Sequence, residues 1–82
     1  MNKVLFPTKD YVKELVRIFK SSKNSQKLVK TLSKYHEKDI AEAITLLTPA
    51  ERQHIYNVLD EHMIAEIFSY LDDAEKYLEE LS

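Results

Sequence analysis

Apolar residues recur along the chain at the spacing of a helix. Val12, Leu15, Val16 and Phe19 fall at i, i+3, i+4 and i+7, a single stripe on one helical face. Ile40, Ala43, Ile44 and Leu47 repeat the pattern, as do Ile64, Ile67, Phe68 and Leu71, and then Ala74, Tyr77, Leu78 and Leu81. Leu28, Leu32 and Tyr35 fill the first gap, and Ile55, Val58 and Leu59 the second. The spacing predicts six short helices, near residues 9–20, 25–35, 37–47, 49–59, 61–71 and 73–81.

The breaks are as regular as the stripes. Thr48, Asp60 and Asp72 stand twelve residues apart, each directly after a leucine, and each can cap the next helix with a side-chain oxygen. Thr48-Pro49-Ala50-Glu51 is the strongest of these starts: a threonine cap, a proline at the first helical position and a glutamate able to reach back. Asp72-Asp73-Ala74-Glu75 predicts a similar start, and Asn24 or Ser25 caps the second helix after the 21–25 loop. A longer period overlies the shorter one. Ile40-Ala41-Glu42 returns twenty-four residues later as Ile64-Ala65-Glu66, and Ala50-Glu51-Arg52 as Ala74-Glu75-Lys76. Two helices of this length cannot bury their stripes alone, so the expected architecture is an all-α superhelical solenoid of αα repeats, one domain over residues 1–82.

Composition supports that class and removes others. The 82 residues include no glycine and no cysteine. Tight hairpins and phosphate-cradling loops lean on glycine for positive φ, and thiolate zinc sites and disulfides need cysteine. No apolar run approaches the ~20 residues that cross a bilayer, and Val4-Leu5-Phe6 is too short for the core of a signal peptide. With no Gly-x-Ser-x-Gly and no paired His and Asp, no enzyme is expected.

The net charge of −2 conceals a division. Residues 1–38 carry ten Lys/Arg against three carboxylates, an excess of seven positive charges; residues 39–82 carry two against eleven, an excess of nine negative. Lys20, Lys23, Lys27, Lys30, Lys34 and Lys38 form a basic stripe. It reads first as a solvated face, then as a face toward an anionic membrane. Nucleic acid comes third, because the stripe lacks arginine and stacking aromatics. Asp72, Glu75 and Glu79 are spaced to share a helical face and are the candidates for a weak divalent-cation surface. The competing reading is a helix start, where negative charge suits the macrodipole. Glu51-x-x-His54 has the spacing of a metal-ligand pair but no second pair to complete it; His36 reads as a cap and His62 as a surface residue.

Asp39-Ile40-Ala41-Glu42, Leu47-Thr48-Pro49-Ala50-Glu51-Arg52, Ala65-Glu66-Ile67 and Tyr70-Leu71-Asp72, repeated at about two dozen residues, resemble the intracellular N-terminal domain of MgtE-type magnesium transporters. The likeness covers about residues 25–82. It implies a regulatory domain on the cytoplasmic side of the cell membrane, belonging to a homodimeric transporter. In that family the domain is followed by paired CBS domains and a membrane pore, and magnesium between the cytosolic domains favours the closed channel. The family's magnesium-contacting acids align beyond Ser82, so no site residue is carried over. The short helices are also similar to those of FliG-type flagellar motor-switch proteins, which keeps a protein–protein interaction module as the alternative. On either reading the last stripe, with Tyr77, Leu78 and Leu81, is expected to be a docking surface of a fragment of a longer chain.

Overall fold

In the computed structural model, residues 9–21 and 24–81 are described. They form helices α1 (Lys9–Ser21), α2 (Ser25–Leu32), α3 (Glu37–Thr45), α4 (Pro49–Val58), α5 (Glu61–Phe68) and α6 (Ala74–Glu79), with no strand among them. The Val4-Leu5-Phe6 patch, Ser22 and Lys23 lie outside the described residues.

The starts of α2 to α5 follow the predicted caps. Asn24 Oδ1 accepts the Lys27 N–H at 3.0 Å, His36 Nδ1 that of Lys38 at 3.0 Å, and Asp60 Oδ1 that of Met63 at 2.8 Å. At α4 the exchange is reciprocal: Thr48 Oγ1 accepts from the Glu51 N–H at 3.2 Å, and Glu51 Oε1 accepts from the Thr48 N–H at 2.9 Å. Four helices, α2, α3, α5 and α6, end two or three residues before the expected positions, for a common reason. Tyr35 donates its N–H to Leu32, Leu47 to Ile44, Leu71 to Phe68 and Leu81 to Leu78, all i→i−3 bonds that tighten the last turn. The tightened turn carries Tyr35 and Leu47 into the core. No described residue has positive φ, so these turns need no glycine and the chain has none.

Alternate helices pack together over the first five: α1 on α3, α3 on α5 and α2 on α4, with α1 also meeting α4. This alternation is compatible with stacked two-helix units. Val12, Leu15 and Phe19 of α1 are buried, and so are Ile40, Ala43, Ile44 and Leu47 of the α3 stripe. Leu28 and Leu32 from α2, Ile55 and Tyr56 from α4, and Ile67 and Phe68 from α5 join the same cluster. Lys27 and Lys30 lie exposed on α2, opposite Leu28 and Leu32, as a solvated stripe requires. The stack therefore has a basic first helix pair and an acidic last one.

Candidate interaction surface

The acidic end is organised by one buried cation. Arg52, Ile55, Tyr56 and Leu59 follow the i, i+3, i+4, i+7 spacing, so the Arg52 side chain emerges on the buried face of α4 and is 6% exposed. An unpaired charge there would be costly. Its Nη1 donates to the Leu47 carbonyl at 2.5 Å, and its Nε and Nη2 donate to the two carboxylate oxygens of Glu80 at 2.9 and 2.7 Å. This two-pronged pairing matches the planar guanidinium to the carboxylate. The Tyr56 hydroxyl donates to Glu80 Oε1 at 2.9 Å, and the guanidinium carbon stands 5.1 Å from the Tyr77 ring centre. Arg52 and the Tyr56 hydroxyl hold the Glu80 carboxyl below the usual carboxylate range, the arginine being the larger influence. Burial pushes the Tyr56 hydroxyl up, and its bond to Glu80 adds to the shift.

The network docks α6. Tyr77 is 4% exposed and packs against Phe68, with ring centres 6.3 Å apart, while Phe68 meets Tyr56 edge-on at 5.7 Å. This corrects the expectation of an open Tyr77: its ring is in the core, held between Phe68 and Arg52. Two tyrosine hydroxyls are bonded to carboxylates. Tyr56 bonds Glu80, and Tyr35 donates to Glu14 on α1.

With Tyr77 turned inward, Leu78 and Leu81 stay outside, 50% and 41% exposed. Opposite them α5 presents Glu61, Ile64, Ala65 and Phe68, again at i, i+3, i+4, i+7. Between the two helices runs an apolar groove of about 630 Å³, whose polar lining is Glu61 and Ser69. Leu78 and Leu81 are thus two of the four exposed large apolar residues among those described, the others being Leu46 and Tyr70.

The sequence-predicted metal candidates are not brought together. Asp72 lies in the turn ahead of α6, and Asp73, not Asp72, holds the cap position without a side-chain cap bond. The assumed helical spacing from Asp72 to Glu79 therefore fails at its first member. Asp72, Glu75 and Glu79 are all exposed, and among the described residues no three His, Asp or Glu side chains gather as a ligand set. The Glu51–His54 pair is spent differently: Glu51 is committed to the Thr48 N–H, a bond that holds its carboxyl below the usual range. His62 lies 3.1 Å from Glu66 on the exposed side of α5. No described helix is long and apolar enough to cross a membrane.

Comparison with curated proteins and with solved structures finds no match. The family model of the MgtE intracellular N domain matches residues 35–82, from the turn after α2 through α6, more than half of the chain. That span contains the reciprocal Thr48–Glu51 cap, the Arg52 network and the groove. The chain therefore belongs to the MgtE intracellular N domain family, the intracellular part of magnesium transporters.

Proposed function

We propose that the chain is a regulatory domain of a magnesium transporter, contributing to cation-dependent gating through contacts with the CBS and membrane domains of a homodimeric parent. The observation that carries the reading is the family match over residues 35–82. The charge division supports it. A body positive at one end and negative at the other is pulled toward or pushed from a neighbouring domain according to the ionic surroundings. Such a bias acts on gating only through a difference in free energy between two arrangements.

The described residues do not fit a self-contained magnesium site. Magnesium demands near-octahedral oxygen ligands, and the exposed carboxylates of α6 offer a loose face. On this reading the chain binds magnesium weakly, and its carboxylates act through repulsion that cations relieve. The test is a chimaera in which residues 1–82 replace the corresponding segment of an MgtE-type transporter reconstituted in vesicles. Flux should fall as magnesium rises on the domain's side, and charge-reversing Asp72, Glu75 and Glu79 together should blunt that fall. A flux that ignores magnesium on that side overturns the gating reading. In the isolated chain, a saturable micromolar magnesium site would show that the carboxylates had been misjudged.

A further inference from the structure

We propose that the groove between α5 and α6 is a docking site for a basic amphipathic helix: one whose apolar ridge enters between Ile64, Phe68, Leu78 and Leu81 while lysines or arginines on its flanks meet Glu61 and Glu75. The inference goes beyond the gating reading and does not depend on it.

The shape of the groove selects a helix. Its floor is a straight stripe along α5, and Ala65, the small residue in it, lets another backbone come close. An apolar ridge laid into an apolar groove is a recurring mode of peptide recognition, read as anchors one helical turn apart. A small molecule fits less well. Such ligands are oriented by several convergent polar groups, and this lining offers Glu61 and Ser69 alone.

Charge selects the kind of helix. Glu61 stands at one end of the α5 stripe, and Glu75 is exposed one turn before Leu78 on α6. The α6 lysine, Lys76, does not line the groove, and its ammonium stands 5.5 Å from the Tyr77 ring centre. Arg52 is already paired with Glu80. The rim is therefore negative, and the segment from residue 39 onward carries nine negative charges in excess. Complementary potential speeds encounter and rejects like-charged partners.

A second copy of this chain is the poorer occupant. Pairing groove to groove would set Glu61 and Glu75 of each copy against those of the other. Pairing groove to α1 would supply Lys13, Arg17 and Lys20, yet α1 has no exposed large apolar residue among those described to fill the groove.

The probe is a synthetic helical peptide with leucines at i, i+3 and i+7 and lysines on both flanks, titrated into the isotope-labelled chain and followed by NMR. Shifts should concentrate at Ile64, Ala65, Phe68, Leu78 and Leu81. Leu78→Ser with Leu81→Ser should weaken binding at least tenfold while the remaining spectrum stays native, because both side chains are exposed. Glu61→Lys with Glu75→Lys should weaken it several-fold and remove most of its salt dependence. A peptide with glutamates in place of the lysines should bind at least tenfold more weakly. Equal binding of the two peptides, no shifts at millimolar peptide, or a groove already occupied by a second copy in sedimentation would each overturn the proposal.

Discussion

Helices α4 and α6 descend from the same stretch of the repeat, yet they are held in place by different means. Thr48-Pro49-Ala50-Glu51-Arg52 and Asp72-Asp73-Ala74-Glu75-Lys76 align position by position. At α4 the cap is complete, with threonine and glutamate exchanging bonds across the first turn, and ten residues follow. At α6 no side chain caps the helix, which has six residues. Isolated helices of that length are not stable in water. What α6 lacks locally it takes from α4 and α5: Arg52 of α4 binds the carboxylate of Glu80, and Tyr77 fills the space beside Phe68 of α5. The last element of the repeat is thus held by the tertiary structure, where its counterpart starts itself. The same repeat position serves opposite ends, since Arg52 is buried where Lys76 is exposed.

Four experiments bear on that contrast, in falling order of effect. Ile55 is fully buried on α4, and Ile55→Ala should cost about 2–5 kcal/mol. The loss should be global, lowering hydrogen-exchange protection in every described helix; loss in α6 alone would mean that α4 is no foundation for the rest. Arg52→Met removes the clasp but leaves Glu80 near enough to the surface to regain water, so about 1–3 kcal/mol is expected. Here the loss should be local, with α6 amides exchanging quickly while α3 stays protected. Arg52→Lys keeps the charge without the planar fork and should recover little.

Next comes the paired comparison of caps. Thr48→Ala should cost about 1 kcal/mol in a urea titration, whereas Asp73→Ala should leave the midpoint unchanged because no cap bond is lost. Equal effects would erase the distinction between the two helix starts.

The smallest effects are those of pH. Glu80 has a lowered folded pKa, so its contribution is complete above the ordinary carboxylate range near ~4.3 and fades as pH falls through the folded value. In acid, α6 should lose protection before α3, and Glu80→Gln should remove that step. Tyr35 titrates the other way. Burial, then its bond to Glu14, raises it to about 12, so its stabilisation is whole below the free tyrosine value of ~10 and is lost as pH rises toward the folded value. Tyr35→Phe should flatten that alkaline decline in a circular dichroism titration.

Much of this was legible in the sequence, and the misses have physical causes. Capping is local chemistry, so Asn24, Thr48 and Asp60 could be read from their neighbours. The apolar spacing overruns the helix ends because an i→i−3 final turn keeps that spacing while leaving the α-helix, as at Tyr35, Leu47 and Leu71. Asp72 looked like a cap by analogy with Thr48, but no local rule reports that the chain makes one further turn before α6. The Arg52–Glu80 pair joins residues twenty-eight apart, and no periodicity links them. A signal existed nonetheless. Arg52 falls on the apolar stripe with Ile55 and Tyr56, and a charge in that position needs a buried partner. Leu78 and Leu81 proved open, but the floor of their groove belongs to α5, and only packing could show which face α5 left free.

The turns from residue 24 onward have a mechanical meaning. From α2 to α5 each junction closes with a tight turn or a single extended residue and restarts at a side-chain cap, with no left-handed residue to swivel about. Hinges absorb large changes of φ and ψ at a few loop positions, and this chain offers little slack of that kind between α2 and α5. Bending one junction means breaking a cap and moving a buried Tyr35 or Leu47 at the same time. A push at the α5 end should therefore travel to the other helices as a tilt of the whole stack, the way a lever passes on displacement.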